Sequence, residues 1–430
     1  MKLESPSNPN YAATIISVKS LVKLSNSDNL QGIPVFGLQA IVDMQTQVGD
    51  IGVLFPCEVQ LSDEYCRENN LFRHAEQNKE PDKRGYLEDN RRVRAIKLRG
   101  NRSDALFLPL DSLAYCVNPN DLREGDTFDT LNGHELCKKY EVVVKSHGVS
   151  NKQQRIQSRV DARFMPEQFD IRHFLREIDS IDPQAECIVT QKLHGCNIRV
   201  ANTLVARRLS LIERIAKRFG IKVQEQEYDK VYGSHHVIKD AENPLHKHFY
   251  DYDVWTEAGS KIADAIPQGY VLYGELVGWT RDGKPIQKNY TYDQPVCTNK
   301  IYVYRVTHIN PQGIQCDLSW EQVKEFCRSI GVAYTPEIAR THVDYLALQQ
   351  PNLLDEYMDV NYHELWQKTN GLIAEEPVKL APESPCDEGV CIRVEGMQPR
   401  IWKVKSPMFL GHETKMLDAG EVELEAVTST

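Results

Sequence analysis

The stretch Gln191-Lys192-Leu193-His194-Gly195-Cys196-Asn197 puts an amine, an imidazole, a glycine and an amide between two apolar, strand-like segments, "AECIVT" and "IRVAN". A lysine amine attacks only when unprotonated, and burial or neighbouring cations promote that state. Lys192 would otherwise be a surface charge. Suitable cations occur late in the chain: Lys403 and Lys405 of "IWKVKS" are two apart, so on a strand they share a face. Alternating lysines equally suit an exposed edge strand. Two carboxylates lie in unusual settings. Glu275 sits inside the apolar run "YVLYGELVGW", where a carboxylate is costly to bury without a partner. A site acid for a sugar hydroxyl or a metal is expected there. Glu388 precedes "GVCIRV". A hard divalent ion takes such a carboxylate together with phosphate oxygens and water, although an Asp-Glu-Gly turn also accounts for the residue.

The elements that must position these groups are a mixture. Strands are expected at 185–191, 197–206, 270–278, 300–306 and 389–404, and helices at 208–219, 245–264, 319–330 and 342–374. They do not alternate regularly, so the fold class is α+β and not a doubly wound sheet. Residues 1–140 read as short Val/Ile/Leu-rich strands split by turn formers, consistent with a small barrel of about five strands. The polar stretch 73–90 reads as a loop, and residues 141–165 as a linker ahead of a second domain at 166–430.

Composition narrows the function classes. The chain has 430 residues, is 41% hydrophobic and carries a net charge of -10, so charge alone does not direct it to nucleic acid. Basic residues are nevertheless concentrated. Arg91, Arg92, Arg94, Lys97, Arg99 and Arg102 occur in twelve residues without an acid, and "RRLSLIERIAKRFGIK" is a basic, helix-like run. Such clustering suits a phosphate-bearing partner. Eleven scattered cysteines without a C-x-x-C pair point to reduced thiols and a cytoplasmic location. No run of about 18 apolar residues or secretory leader is seen, so no membrane partner is expected.

The order of the motifs is more specific than any one of them. Lys192-Leu193-His194-Gly195, then "YGELVG", "IYVYRV", "EGVCIR" and "WKVKS", spanning 191–406, resembles the covalent nucleotidyltransferase superfamily and within it the ATP-dependent RNA ligases. His194 is similar to the RNA-ligase branch, and Asn197 to the asparagine of double-strand-sealing RNA ligases. The resemblance implies an N-terminal OB-type barrel followed by an antiparallel-sheet nucleotidyltransferase domain. It implies joining of 3′-hydroxyl and 5′-phosphate ends through lysyl-AMP on Lys192, with ATP and Mg²⁺ or Mn²⁺. Lys403 and Lys405 would neutralise the α-phosphate, Glu275 would accept from the ribose, and Tyr304 would stack on the base. Glu388 would hold the metal, while Gly195 would allow close backbone approach. His194 and Asn197 would contact phosphates and nick ends. Arg91 to Arg102 would grip nicked duplex RNA or an RNA–DNA hybrid, and the protein would act as a monomer. About 25 residues follow the last motif, short of the barrel that DNA ligases and capping enzymes carry there. Three departures stand out. Gln191 replaces a usual Glu, Tyr304-Arg305 replaces Phe-Asp, and the arginine usual between the first and third motifs falls to Arg207, Arg208 or a substituting His235. An RNA-capping guanylyltransferase and an inactive RNA-binding relative are the competing readings.

Overall fold

The computed structural model describes residues 3–142, 159–239, 252–347, 358–369 and 373–421. The linker expected at 141–165 and the N-terminal part of the helix expected at 245–264 lie largely outside them. The chain forms two compact units. One comprises Met1–Val143, Arg172–Ser180 and Lys405–Val422, and the other Val144–Ile171, Ile181–Val404 and Glu423–Thr430. Among the described residues no helix is long and apolar enough to cross a membrane.

The first unit is built on a seven-stranded sheet. Its order is Thr127–Phe128, Ala13–Ser17, Ile51–Pro56, Ala105–Pro109, Leu38–Asp43, Leu30–Val35, Val22–Lys23. Neighbours run antiparallel except Leu38–Asp43 and Ala105–Pro109, which are parallel. Among the described residues no closed barrel is detected, because the two short edge strands do not pair with each other. Alternation places Ala13, Ile15, Val53 and Phe55 in a core with Tyr65 and Phe128. The loop at 73–90 is anchored by the buried Asn78, whose side chain accepts from Phe72 N (2.9 Å) and donates to Phe72 O (2.9 Å) and Lys83 O (2.8 Å).

The basic run 91–102 does not form one half-exposed strand. Ile96–Leu98 and Asn101–Ser103 pair as a hairpin around Arg99 and Gly100, both at positive φ (50° and 90°), which is the geometry of a tight two-residue turn. Lys97 and Arg99 are exposed on it. Arg91 lies 3.7 Å from Asp63, Arg94 3.6 Å from Asp418, and Arg102 2.9 Å from Asp104. Arg92 departs from the expected surface role, with only 2% of the residue exposed. Its guanidinium reaches Glu58 (2.5 Å), Asp418 (2.9 Å) and Thr414 O (3.2 Å), and the Thr414 hydroxyl closes the network on Glu58. Thr414 and Asp418 belong to the helix Pro407–Asp418, so this buried network fixes the late helix within the first unit.

The second unit contains two sheets. In one, Glu186–Lys192 runs antiparallel between Gly389–Val394 and Glu337–His342, and Arg400–Lys405 flanks Gly389–Val394. The other follows the order Ile238–Lys239, Gln226–Gly233, Cys196–Ala206, Tyr270–Gly278, Asn299–Ile309, Gln315–Asp317, with Ala333–Tyr334 added parallel to Asn299–Ile309. The interrupted apolar run expected as one strand at 389–404 is two strands joined by a turn. The helices Val254–Ala263 and Trp320–Ser329 pack Trp255, Trp320 and Val323 against Ile198, Val200, Leu272 and Val306. The α+β class therefore holds. The long helix expected at 342–374 is represented among the described residues by two short ones, Val343–Ala347 and Tyr362–Lys368.

Removing the cation of a buried pair strands its partner, at about 3–5 kcal/mol. Arg92→Ala should lower the urea midpoint of the chain accordingly, whereas Lys97→Ala on the exposed hairpin should leave it within experimental error.

Candidate active site

Lys192 ends one sheet and Cys196 begins the other, so Leu193-His194-Gly195 is the crossover between them. Close packing dictates Gly195: a Cβ there would stand 2.3 Å from Leu276 O, a backbone atom that cannot give way. The Gly195 N–H donates to Glu275 Oε1 at 2.8 Å, and Gln287 donates to Gly195 O at 2.9 Å. His194 N donates to the hydroxyl oxygen of the fully buried Tyr292 (2.6 Å), and the Tyr290 ring meets the imidazole edge-on, with centroids 5.0 Å apart. A loop after the Glu275 strand thus holds the crossover from behind.

Lys192 stands opposite Gly389 in the strand register. Gly389 adopts φ 141°, a backbone conformation that side chains disfavour. That rung delivers Glu388 to the lysine: Lys192 Nζ lies 2.8 Å from Glu388 Oε1, and His194 Nδ1 lies 3.6 Å from Glu388 Oε2. Glu388 is almost wholly buried and the Lys192 side chain is 19% exposed. A cleft opens beside them. Its walls include Lys192, Asn197, Glu275, Tyr304, His235 and Lys403. Burial pushes the Cys391 thiol up to about 11, against the lowering influence of Lys192 and Lys403, with Glu388 and Glu275 adding to the rise. The Cys391 sulfur, on the cleft wall, thus lies in the fields of Lys192, Lys403, Glu388 and Glu275.

Tyr304 reaches the cleft through a sheet irregularity. Tyr273 pairs with Arg305 but Gly274 pairs with Val303, so Tyr304 is the extra residue of a β-bulge. Its hydroxyl takes a hydrogen bond from Asn197 Nδ2. Arg305 carries no site chemistry of its own. It is buried, bound to Asp317 (2.6 Å) and Gln168 (3.0 Å), and stacked on Tyr273 and Phe169. It therefore orders Gln168 and Phe169, which line the cleft.

Gln191 lines the cleft, and its amide is engaged on both atoms. It donates to Asp387 (2.7 Å) and Val378 O (3.1 Å) and accepts from Val378 N (2.8 Å). Burial pushes the Asp387 carboxyl up to about 7, opposed by hydrogen bonds from Tyr362 N and Gln191. Lys405 is not among the cleft-lining residues; its amine pairs with Glu413 at 2.7 Å. Of the candidates for the missing arginine, Arg207 pairs with Glu213, Arg208 lies on the exposed approach to the helix Leu211–Arg218, and His235 lines the cleft with Nε2 3.0 Å from Gln168 O.

Sequence reasoning missed several lining residues. Arg393, Thr335, Gln168 and Phe169 were not singled out. The Arg393 guanidinium is held by Glu395 (3.0 Å) and Leu318 O (2.7 Å), yet its Nη1 is buried without a hydrogen-bond partner among the described residues, as are Thr335 Oγ1 and Asn197 Oδ1. Buried polar atoms of this kind call for a partner, and here three of them line one cleft. Strand alternation from Gly389 through Cys391 was the available signal for Arg393. The other three lie in segments without a pattern.

The sequence model of the RNA ligase family matches residues 185–405, just over half of the chain. The chain belongs to the RNA ligase family. By sequence, no curated protein matches it. Solved structures similar to this RNA ligase family member include a lysine-to-alanine mutant of Naegleria gruberi RNA ligase with ATP and Mn, at TM-score 0.57 and 16% identity over 95% of this chain and 99% of that one. The same organism's enzyme with pyrophosphate gives 0.58 and 16% over 94% and 98%. A lysine-to-methionine mutant with AMP and Mn gives 0.56 and 14% over 93% and 98%. At such identity the likeness is one of fold, and it extends over both units of the ligase.

The Gln191 environment generates a test. Replacing its amide with a carboxylate would set two acids together and leave Val378 O without a donor. Gln191→Glu should therefore destabilise the ligase by about 1–3 kcal/mol in urea unfolding, although glutamate is the residue the family resemblance leads one to expect there.

Proposed function

We propose that this chain seals 3′-hydroxyl/5′-phosphate breaks in duplex RNA or RNA–DNA hybrids, with ATP as the adenylate donor and lysyl-AMP on Lys192 as the intermediate. The observation that carries the reading is the Lys192–Glu388 contact at 2.8 Å beside a cleft shared with Glu275, Tyr304 and Lys403. In the first transfer Nζ of Lys192 would bond to the α-phosphorus of ATP and lose a proton, and the bond to pyrophosphate would break. In the second, a 5′-phosphate oxygen would take the adenylyl group and free the lysine. In the third, the 3′-hydroxyl would attack the 5′-phosphorus and expel AMP. Most of the catalysis in such chemistry is positioning and charge neutralisation.

Each side chain has a part matched to its surroundings. Lys403 would offset charge on the α-phosphate from the cleft wall. Tyr304, fixed by Asn197, offers a ring face to a base. Glu275 accepts from Gly195 N and lines the cleft, where its carboxylate would accept from a ribose hydroxyl. His194, held by Tyr292 and Tyr290, would meet a departing pyrophosphate or an incoming 5′-phosphate. Lys405, whose amine pairs with Glu413 at 2.7 Å, would leave that acid to join Lys403 in offsetting the phosphate charge.

Among the described residues no cluster of three or more His, Cys, Asp or Glu could cage a metal. Mg²⁺ and Mn²⁺ do not require one, since one carboxylate with waters and phosphate oxygens suffices. Glu388, buried and aimed at the nucleophile, fits that part. Bound there, such an ion would offset triphosphate charge. Glu388 would hold such an ion next to Lys192, whose amine it meets at 2.8 Å.

Residues 1–140 are proposed as the nucleic-acid-binding module of OB type, with 141–165 as linker and 166–430 as the nucleotidyltransferase domain. Exposed Lys97 and Arg99 on the hairpin are its best phosphate contacts, with Arg91, Arg94 and Arg102 partly engaged by acids. Such contacts set affinity and salt dependence and leave sequence choice untouched.

With α-labelled ATP and magnesium or manganese, the wild type should become covalently labelled and Lys192→Ala should not; labelled GTP should give no adduct with either. Label retained by Lys192→Ala would remove the nucleophile assignment, and label from GTP alone would favour the capping reading. Lys97→Glu with Arg99→Glu should weaken nicked-duplex binding by about tenfold or more at moderate salt and leave lysyl-AMP formation unchanged.

A further inference from the structure

The most conspicuous surface outside the cleft is the helix Leu211–Arg218 and the turn after it. It caps the hairpin made by Cys196–Ala206 and Gln226–Gly233. The first strand of that hairpin begins beside Lys192 and runs away from it for eleven residues, so the helix stands roughly 30 Å from the nucleophile at the usual rise per residue. None of its residues is buried. Leu211, Ile212, Ile215, Phe219 and Ile221 are 75%, 80%, 57%, 78% and 60% exposed. Leu211, Ile215 and Phe219 follow one another at every fourth residue, with Ile212 alongside, so they form one apolar stripe. Isolated exposed hydrophobics are ordinary, whereas a contiguous patch marks an interaction site.

The helix is held in shape without a core. Ser210 and Glu213 form a reciprocal cap at its start. At its end Gly220, at φ 78°, lets Ile221 N donate to Ala216 O (3.0 Å) and Gly220 N to Lys217 O (3.0 Å), a glycine-based stop. Lys217 pairs with Glu225 at 2.6 Å and Arg207 with Glu213. The stripe is therefore presented on a locally fastened element and is not a frayed segment.

Charge identifies the occupant. Between Arg207 and Lys222 lie six basic residues and one acid, Glu213, in a chain whose net charge is -10. Among the described residues Arg214, Arg218 and Lys222 have no ion pair, and Arg214 and Arg218 border the stripe at helical spacing. A second copy of the same face would meet like charge. An RNA duplex would satisfy the arginines but leave leucine, isoleucine and phenylalanine in water. A convex apolar ridge with a cationic border matches a soft anionic surface, into which the apolar residues sink while the cations meet phosphate headgroups. We infer that the helix Leu211–Arg218 is a docking element that lays the protein on the surface of an anionic lipid bilayer, without crossing it.

The test is co-sedimentation of the full chain with vesicles of phosphatidylserine in phosphatidylcholine, against phosphatidylcholine alone. The wild type should pellet with the anionic vesicles only, and less so as salt is raised. Ile215→Ser with Phe219→Ser, and separately Arg214→Gln with Arg218→Gln, should each reduce the bound fraction about tenfold or more. Lysyl-AMP formation by both variants should match wild type, which shows that they are folded and keeps this result separate from the ligation reading. A wild type that stays in solution with anionic vesicles would overturn the inference. So would undiminished binding by the serine variant, or concentration-dependent self-association of the free protein that the same substitutions abolish. Loss of duplex-RNA binding in the arginine variant without loss of vesicle binding would reassign those cations to nucleic acid and likewise overturn it.

Discussion

The site depends on a single rung of a β-ladder. Lys192 and Gly389 face one another across two antiparallel strands, and this register alone sets the Glu388 carboxylate against the lysine amine. The two residues are almost 200 positions apart in sequence, so neither has meaning locally. Everything near them protects that rung. The positive φ of Gly389 shapes the strand entry, the crossover at Gly195 has no room for a side chain, and the tyrosines behind His194 fix its direction. A slip of one residue would turn Lys192 to the other side of the sheet, which is why the register is reinforced on both edges.

The geometry also explains why the departures from the family pattern are tolerated. Gln191 and Arg305 were puzzling as isolated letters because both replace acids. In the fold each faces an acid that came from elsewhere, Asp387 and Asp317 respectively. Asp317 ends a neighbouring strand and Asp387 lies just before one, so a carboxylate stands beside each of the two positions.

Much of the second unit was legible because its strands are long and apolar and its charged residues break that pattern conspicuously. Glu275, Glu388 and Lys403 stood out for this reason; Glu275 and Lys403 line the cleft and Glu388 meets Lys192 beside it. For Lys405 alternation gives the face but says nothing about Glu413, the acid its amine meets. Reading by pattern failed for Arg92, because a run of basic residues looks solvated until a buried acid such as Glu58 is brought to it. Tyr304 was found by its motif, yet its direction rests on a bulge that no periodicity announces. Phe169, Thr335 and Gln168 come from irregular or short segments, where neither spacing nor alternation carries information. In the first unit strands were visible one at a time, but their order and the openness of the sheet come from long-range pairing that local sequence does not encode.

The network of Glu58, Arg92, Thr414 and Asp418 has a consequence for how the molecule is made. A ribosome delivers the chain from its N-terminus, and Glu58 and Arg92 emerge early. Their partners on Asp418 and Thr414 emerge 326 and 322 residues after Arg92. Until then the first unit lacks one of its interior elements, while the segment Ile181–Val404 of the second unit is made in between.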